Sequence, residues 1–149
     1  MSLAEKICLS AAFPFFMTGL LTGIWKYRHM AKSQDATSPT YVNIAHRSSL
    51  LYSFAALLLA EFSAHSVLPE WMNIAAAVAA LAFFAFAITT YVVHGLLQDT
   101  DNQLRRPHRL GKRILPAWVT GSFMVLLIVA EVGGTLVLGT GAMMGIWHG

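Results

Sequence analysis

"LAFFAFAITTYVV", residues 81–93, decides the fold. It lies inside a run, 71–97, that holds no Asp, Glu, Lys or Arg, and a helix needs about 20 consecutive, mostly apolar residues to cross a bilayer. Working outward, comparable hydrophobic runs occupy 7–27, 44–64 and 114–140. The 149 residues are 56% hydrophobic and 11% charged, with a mean hydropathy of +0.60, whereas soluble domains carry about 25% charged residues. The expectation is an all-α integral membrane protein, a four-transmembrane-helix bundle forming a single domain over residues 1–149. Its chemistry must then lie between the helices or at their ends.

Charge orients the bundle. Lys26, Arg28, Lys32 and Arg47 lie in or beside the first loop, Arg105, Arg106, Arg109, Lys112 and Arg113 fill the third, and the second loop, "HSVLPEW", has none. By the positive-inside rule both basic loops are cytoplasmic, so the two termini and the second loop lie outside. The membrane expected is a bacterial inner membrane. The first run is read as a span and not as a signal peptide, since only Lys6 precedes it and it has no small-residue cleavage pattern. Topology accounts for the net charge of +3, so no nucleic-acid partner is expected, and "RRPHRLGKR" reads as a topogenic cluster facing lipid headgroups. The one cysteine, Cys8, excludes an internal disulfide and a Cys-based zinc or iron–sulfur centre. Gly19 and Gly23 form a GxxxG, and Gly133, Gly134, Gly139 and Gly141 mark the last span. Small residues let helices approach closely, and a homo-oligomer is expected. Trp25, Trp71, Trp118 and Trp147 fall near span ends, where an aromatic belt anchors a membrane protein.

Ionisable residues within spans are costly and tend to mark function. His46 opens the second span and His94 lies near the end of the third, so antiparallel helices put the two imidazoles at one depth. Glu61, His65 and Glu131 fall at an outer depth, as a proton path or as packing between helices. On the second span His46, Ser49, Ser53 and Ala56 share a stripe, with Tyr52 beside it; on the third, His94, Tyr91, Thr90 and Ala87 do the same below Phe83 and Phe84. A slot of small and aromatic side chains with an imidazole at its mouth suits a flat apolar ring system such as haem. Neutral imidazole is a common ligand for its iron, and Arg47 with the loop arginines would meet the propionates.

The order "LLTGIW" closing the first span, a polar loop, "AH" opening the second, and an Asn-containing loop after the third resembles the small four-span membrane isomerases. These are styrene oxide isomerase and, more distantly, hydroxylaminobenzene mutase. The resemblance covers most of the chain in topology and only short stretches in residues. It implies that Ala45-His46 supplies the ligand of a haem b held at subunit contacts of a homotrimer, whose ferric iron acts as a Lewis acid on an epoxide oxygen. The family's asparagine six residues after the histidine is Tyr52 here, and its catalytic tyrosine falls near Tyr91 or at His94. An acidic residue about two turns earlier has no counterpart, that region holding apolar residues such as Phe86. Three readings follow. The first is a haem-b-dependent isomerase of a small lipophilic epoxide, with His46 as metal ligand, Arg47, Ser49, Ser53 and Thr90 around the cofactor, and Tyr52, Tyr91 and His94 as catalytic groups. The second is a bis-histidine membrane cytochrome using both His46 and His94. The third is a non-catalytic scaffold subunit.

Overall fold

Four helices carry the chain in the computed structural model, which describes residues 1–148. They are α1 (Leu3–Lys32), α2 (Thr40–His65), α3 (Glu70–Leu97) and α4 (Ala117–His148). Between α3 and α4 a small antiparallel hairpin pairs β1 (Arg109–Leu110) with β2 (Arg113–Ile114), in the register Arg109 to Ile114 and Leu110 to Arg113. By length and composition α1, α3 and α4 can each cross a membrane. α2 is not among them: at about 1.5 Å per residue its 26 residues reach far enough, but Asn43, His46, Arg47, four serines, Glu61 and His65 dilute its apolar content.

Local chemistry sets the helix ends. Ser2 and Glu5 form a reciprocal capping box at the start of α1. Pro39 and Pro69 stand at the N-caps of α2 and α3, each with φ of −53°, a value the proline ring pre-sets. α3 stops where Gln98 turns left-handed, with φ of 47°, and returns its amide to the His94 carbonyl. The last helix begins three residues later than the hydrophobic run predicts. Residues 113–114 are taken up by the hairpin, and Pro116 sits immediately before Ala117. It also runs on to 148, past the expected end at 140.

Small residues bring the helices together. α1 lies along α2, while α3 packs on both α2 and α4. Ala56 and Ala60 of α2, Ala77 and Ala80 of α3, and Leu59 and Leu138 are buried where these elements meet. Of the glycines on α4, Gly134 sets the approach to α3, since a Cβ there would stand 2.5 Å from the Ala76 carbonyl oxygen. Gly141 and Gly145 press in the same way on the α2–α3 turn, whereas Gly133 faces open space. Phe13, Leu51, Phe54, Trp118 and Val129 point outward and are exposed. A small-residue interior with a large apolar exterior is the pattern of a bundle whose outer solvent is lipid.

Candidate functional site

The GxxxG of α1 is a seat for a histidine. Gly19 faces Leu50 and Gly23 faces His46; a Cβ on Gly23 would lie 2.9 Å from His46 Cε1. In that notch His46 Nδ1 donates to the Gly19 carbonyl at 2.8 Å. The carbonyl can only accept, so the proton sits on Nδ1 and the Nε2 lone pair is left over. Among the described residues Nε2 has no hydrogen-bond partner. Arg47, next to it, is exposed.

Ser49, Ser53 and Thr90 are committed elsewhere. Ser49 donates to the Ala45 carbonyl, Ser53 to Leu50 and Thr90 to Ala87, each within its own helix. Ser49 and Ser53 are buried in the packed interior. Their small size, which lets α2 pack closely, is what the fold uses.

Three helices converge at a second polar cluster. Tyr52 of α2 stacks on Phe84 of α3 with ring centroids 4.4 Å apart, and its hydroxyl and that of Tyr91 lie close enough to interact. The Glu131 carboxyl of α4 lies near both phenols, and among the described residues its Oε1 is buried without a hydrogen-bond partner. Glu131 therefore does not join Glu61 and His65 at an outer depth. Those two form an exposed pair at 2.9 Å on one face of α2. The close approach at Gly134, one turn further along α4, brings Glu131 inward.

His94 is anchored differently. It is buried, its ring lies against Tyr41 at 5.0 Å, and Nδ1 donates to Asp99 Oδ1 at 2.8 Å. The other Asp99 oxygen accepts the Gly111 amide, so one carboxylate ties the end of α3 to the hairpin. The loop is fastened further by the Gln103 amide, which donates to the Tyr41 hydroxyl at 2.6 Å, and by His108 Nδ1, which donates to the Gln103 carbonyl at 3.2 Å. Burial works against ionisation of Asp99, but hydrogen bonds from His94 and the Gly111 amide outweigh it and hold the carboxyl below its ordinary range. Nothing in the residue types marked Asp99 as His94's partner; only the left-handed turn at Gln98 brings it back.

His46 thus faces α1, and His94 faces Tyr41 and the loop. Tyr41 and His46 leave α2 about 140° apart and Tyr52 and His46 about 120° apart, at 100° per residue. The two imidazoles make no contact with one another, whereas Tyr52 leaves α2 only about 20° from Tyr41, so the tyrosine cluster continues the face on which Tyr41 meets His94, with Tyr41 stacked on Tyr91 at 6.1 Å. As a donor set, His46 fits a haem iron: one imidazole, half buried, oriented through Nδ1 by a fixed carbonyl, with Nε2 uncommitted. Metal-bound histidines are commonly oriented in this way. Compared with known proteins, the chain matches no protein-family model, no curated protein and no solved structure.

Proposed function

We propose that the chain is a haem-b-dependent isomerase of the bacterial inner membrane that opens a small lipophilic epoxide to a carbonyl compound. In this reading all four helices cross the bilayer, both termini lie outside, and the working unit is a homotrimer. The observation that carries it is the His46 seat, where Gly19 and Gly23 hold the imidazole by Nδ1 and leave Nε2 as a ligand atom. The resemblance of Ala45-His46 to the ligand position of the small four-span isomerases supports the same atom.

Ferric haem on His46 would supply a Lewis acid for the epoxide oxygen. The chain's own groups do the rest. The Tyr52 and Tyr91 hydroxyls donate to the oxygen as negative charge develops on it, and Phe84, stacked on Tyr52, fixes the phenol ring and keeps water away. The epoxide C–O bond breaks, a substituent migrates with its electron pair to the electron-poor carbon, and the carbonyl forms with every atom retained. Glu131, directed at the tyrosine pair, faces the positive charge of the opened ring. His94, held by Asp99, is a further hydrogen-bonding group at the cytoplasmic end and not a second ligand, since it lies against Tyr41, on a face of α2 about 140° from His46.

Because His46 and Tyr52 leave α2 on different faces, a trimer accounts for their cooperation by pairing one subunit's ligand with its neighbour's tyrosines. Co-expression tests this. Inactive His46→Ala and inactive Tyr91→Phe chains should regain turnover when mixed in one membrane, and mixtures as inactive as either parent would sink the shared-site reading.

A further inference from the structure

A cavity of about 430 Å³ lies between α3 and α4, under the hairpin, and of its wall the proposed reaction uses only His94. Its size falls within the range of small-molecule sites. Most of its wall is apolar, with Phe86 and Val93 on α3 and Val119, Phe123 and Met124 on α4. At one end the polar groups gather: His94, His108 and Arg109. His94 and His108 are both buried, at 6% and 8% exposure, which is unusual for two imidazoles at one apolar cavity. Each has committed Nδ1–H to a fixed oxygen, His94 to Asp99 and His108 to the Gln103 carbonyl. The atom each has left for a ligand is Nε2.

An occupant must satisfy two Nε2 atoms and a guanidinium at one end and apolar walls at the other. An anion does this: it accepts from the Arg109 guanidinium, and a hydronium proton taken up at an imidazole Nε2 together with the anion turns that nitrogen into a second donor, one O–H bond breaking and one N–H bond forming. The nearby acidic side chains do not compete for these groups, because Asp99 is held by His94 and the Gly111 amide and Asp101 pairs with Arg105 at 2.9 Å. Arg105 and Arg106 line the adjoining polar cavity, about 570 Å³, whose wall also includes His94 and Arg109. Asp99 and Asp101 line that cavity too, and among the described residues Arg106 and Arg109 pair with no carboxylate, which leaves them as the free positive charges at the head.

We propose that this cavity binds an amphiphile with an anionic head, its acyl chain against Phe86, Val119, Phe123 and Met124 and its head between His94, His108 and Arg109. A free medium-chain carboxylic acid and an anionic membrane lipid share this chemistry. The site shares His94 with the proposed reaction, but its binding test needs neither haem nor epoxide turnover, so it stands or falls separately from the isomerase reading.

The test uses the full chain in phosphatidylcholine nanodiscs with octanoate labelled at the carboxyl carbon, read by NMR against empty nanodiscs. Saturable octanoate binding is expected. It should weaken at least tenfold in the double variant His94→Gln, His108→Gln, and equally in Val119→Trp, which fills the cavity from α4 without touching its head. Octylamine should not compete. Phosphatidylglycerol added to the nanodiscs displaces octanoate if the natural source is a lipid and leaves it bound if the source is a free acid. Binding that survives Val119→Trp at full strength, competition by octylamine as effective as by unlabelled octanoate, or no saturable binding above empty nanodiscs would overturn the proposal.

Discussion

His46 and His94 both give up Nδ1 to a fixed acceptor, yet one is held by a backbone carbonyl in a glycine notch and the other by a carboxylate beneath a folded loop. The carbonyl holds a single tautomer and leaves a lone pair, which suits a ligand. The carboxylate brings a charge that can follow a proton, and it ties the imidazole to the position of the hairpin through Gly111. The first seat depends on packing between two helices, the second on the architecture of residues 98–116. The difference teaches that similar imidazoles at similar depths do not form one site merely by sharing a level.

Substitutions break this comparison in order of size. His46→Ala should abolish haem absorbance and turnover altogether while leaving the chain inserted, whereas His94→Ala should keep haem content and lower turnover by about 100-fold, the usual scale for loss of a positioned proton-transfer or hydrogen-bonding group. Absorption spectra and rates on matched preparations check both. Next in size, Asp99→Asn should destabilise the loop by about 1–3 kcal/mol, since it weakens a buried charge-assisted contact, and denaturation of the two proteins side by side measures it. This loss has a pH signature. Asp99 is held below its ordinary value of 3.8, so its contribution is fully present above that value and disappears as the pH falls through the lower folded one. Asp99→Asn should remove that part of the acid limb, and an acid limb identical to wild type would contradict the clamp.

Gly23→Ala sharpens the other half. The new methyl would meet His46 Cε1 at 2.9 Å, so the ring must shift, at a cost of about 1–3 kcal/mol as for other overpacked contacts. Haem should be held more weakly, with no effect on the His94 region. Glu61→Gln should change stability by less than about 0.5 kcal/mol, because both it and His65 are exposed; a larger loss would mean that the pair is covered by a neighbouring subunit.

The hydrophobic runs made four helices legible, and the GxxxG marked a close helix approach without telling whether it falls within the subunit or between subunits; that α2 fills it is seen only in the structure. Other features depend on geometry that residue types do not announce. α2 is a helix of the expected length, but its polar side chains keep it from meeting the apolar standard that α1, α3 and α4 meet. Counting the rise along α4 put Glu131 level with Glu61 and His65, and neither its true depth nor its neighbours were legible, because Gly134 rather than Gly133 sets the approach to α3. The pairing of His94 with Asp99 spans five residues across a helix end, so it is invisible to the i, i+4 rule that correctly paired Glu61 with His65. Gln98, in the left-handed region without being glycine, carries no sequence signal for the turn that makes it. The stripe of Ser49, Ser53 and Thr90 followed helical spacing, but spacing does not tell whether a hydroxyl faces a slot or returns to its own helix.

The most direct test of the central claim is the absorption and electron paramagnetic resonance spectrum of the purified ferric protein, with His46→Ala and His94→Ala beside it. The account predicts a Soret band and a ferric iron with one histidine ligand and an exchangeable opposite position, lost in His46→Ala and unchanged in kind in His94→Ala. A protein without haem, or a low-spin bis-histidine spectrum that His94→Ala converts to five-coordinate, would contradict it.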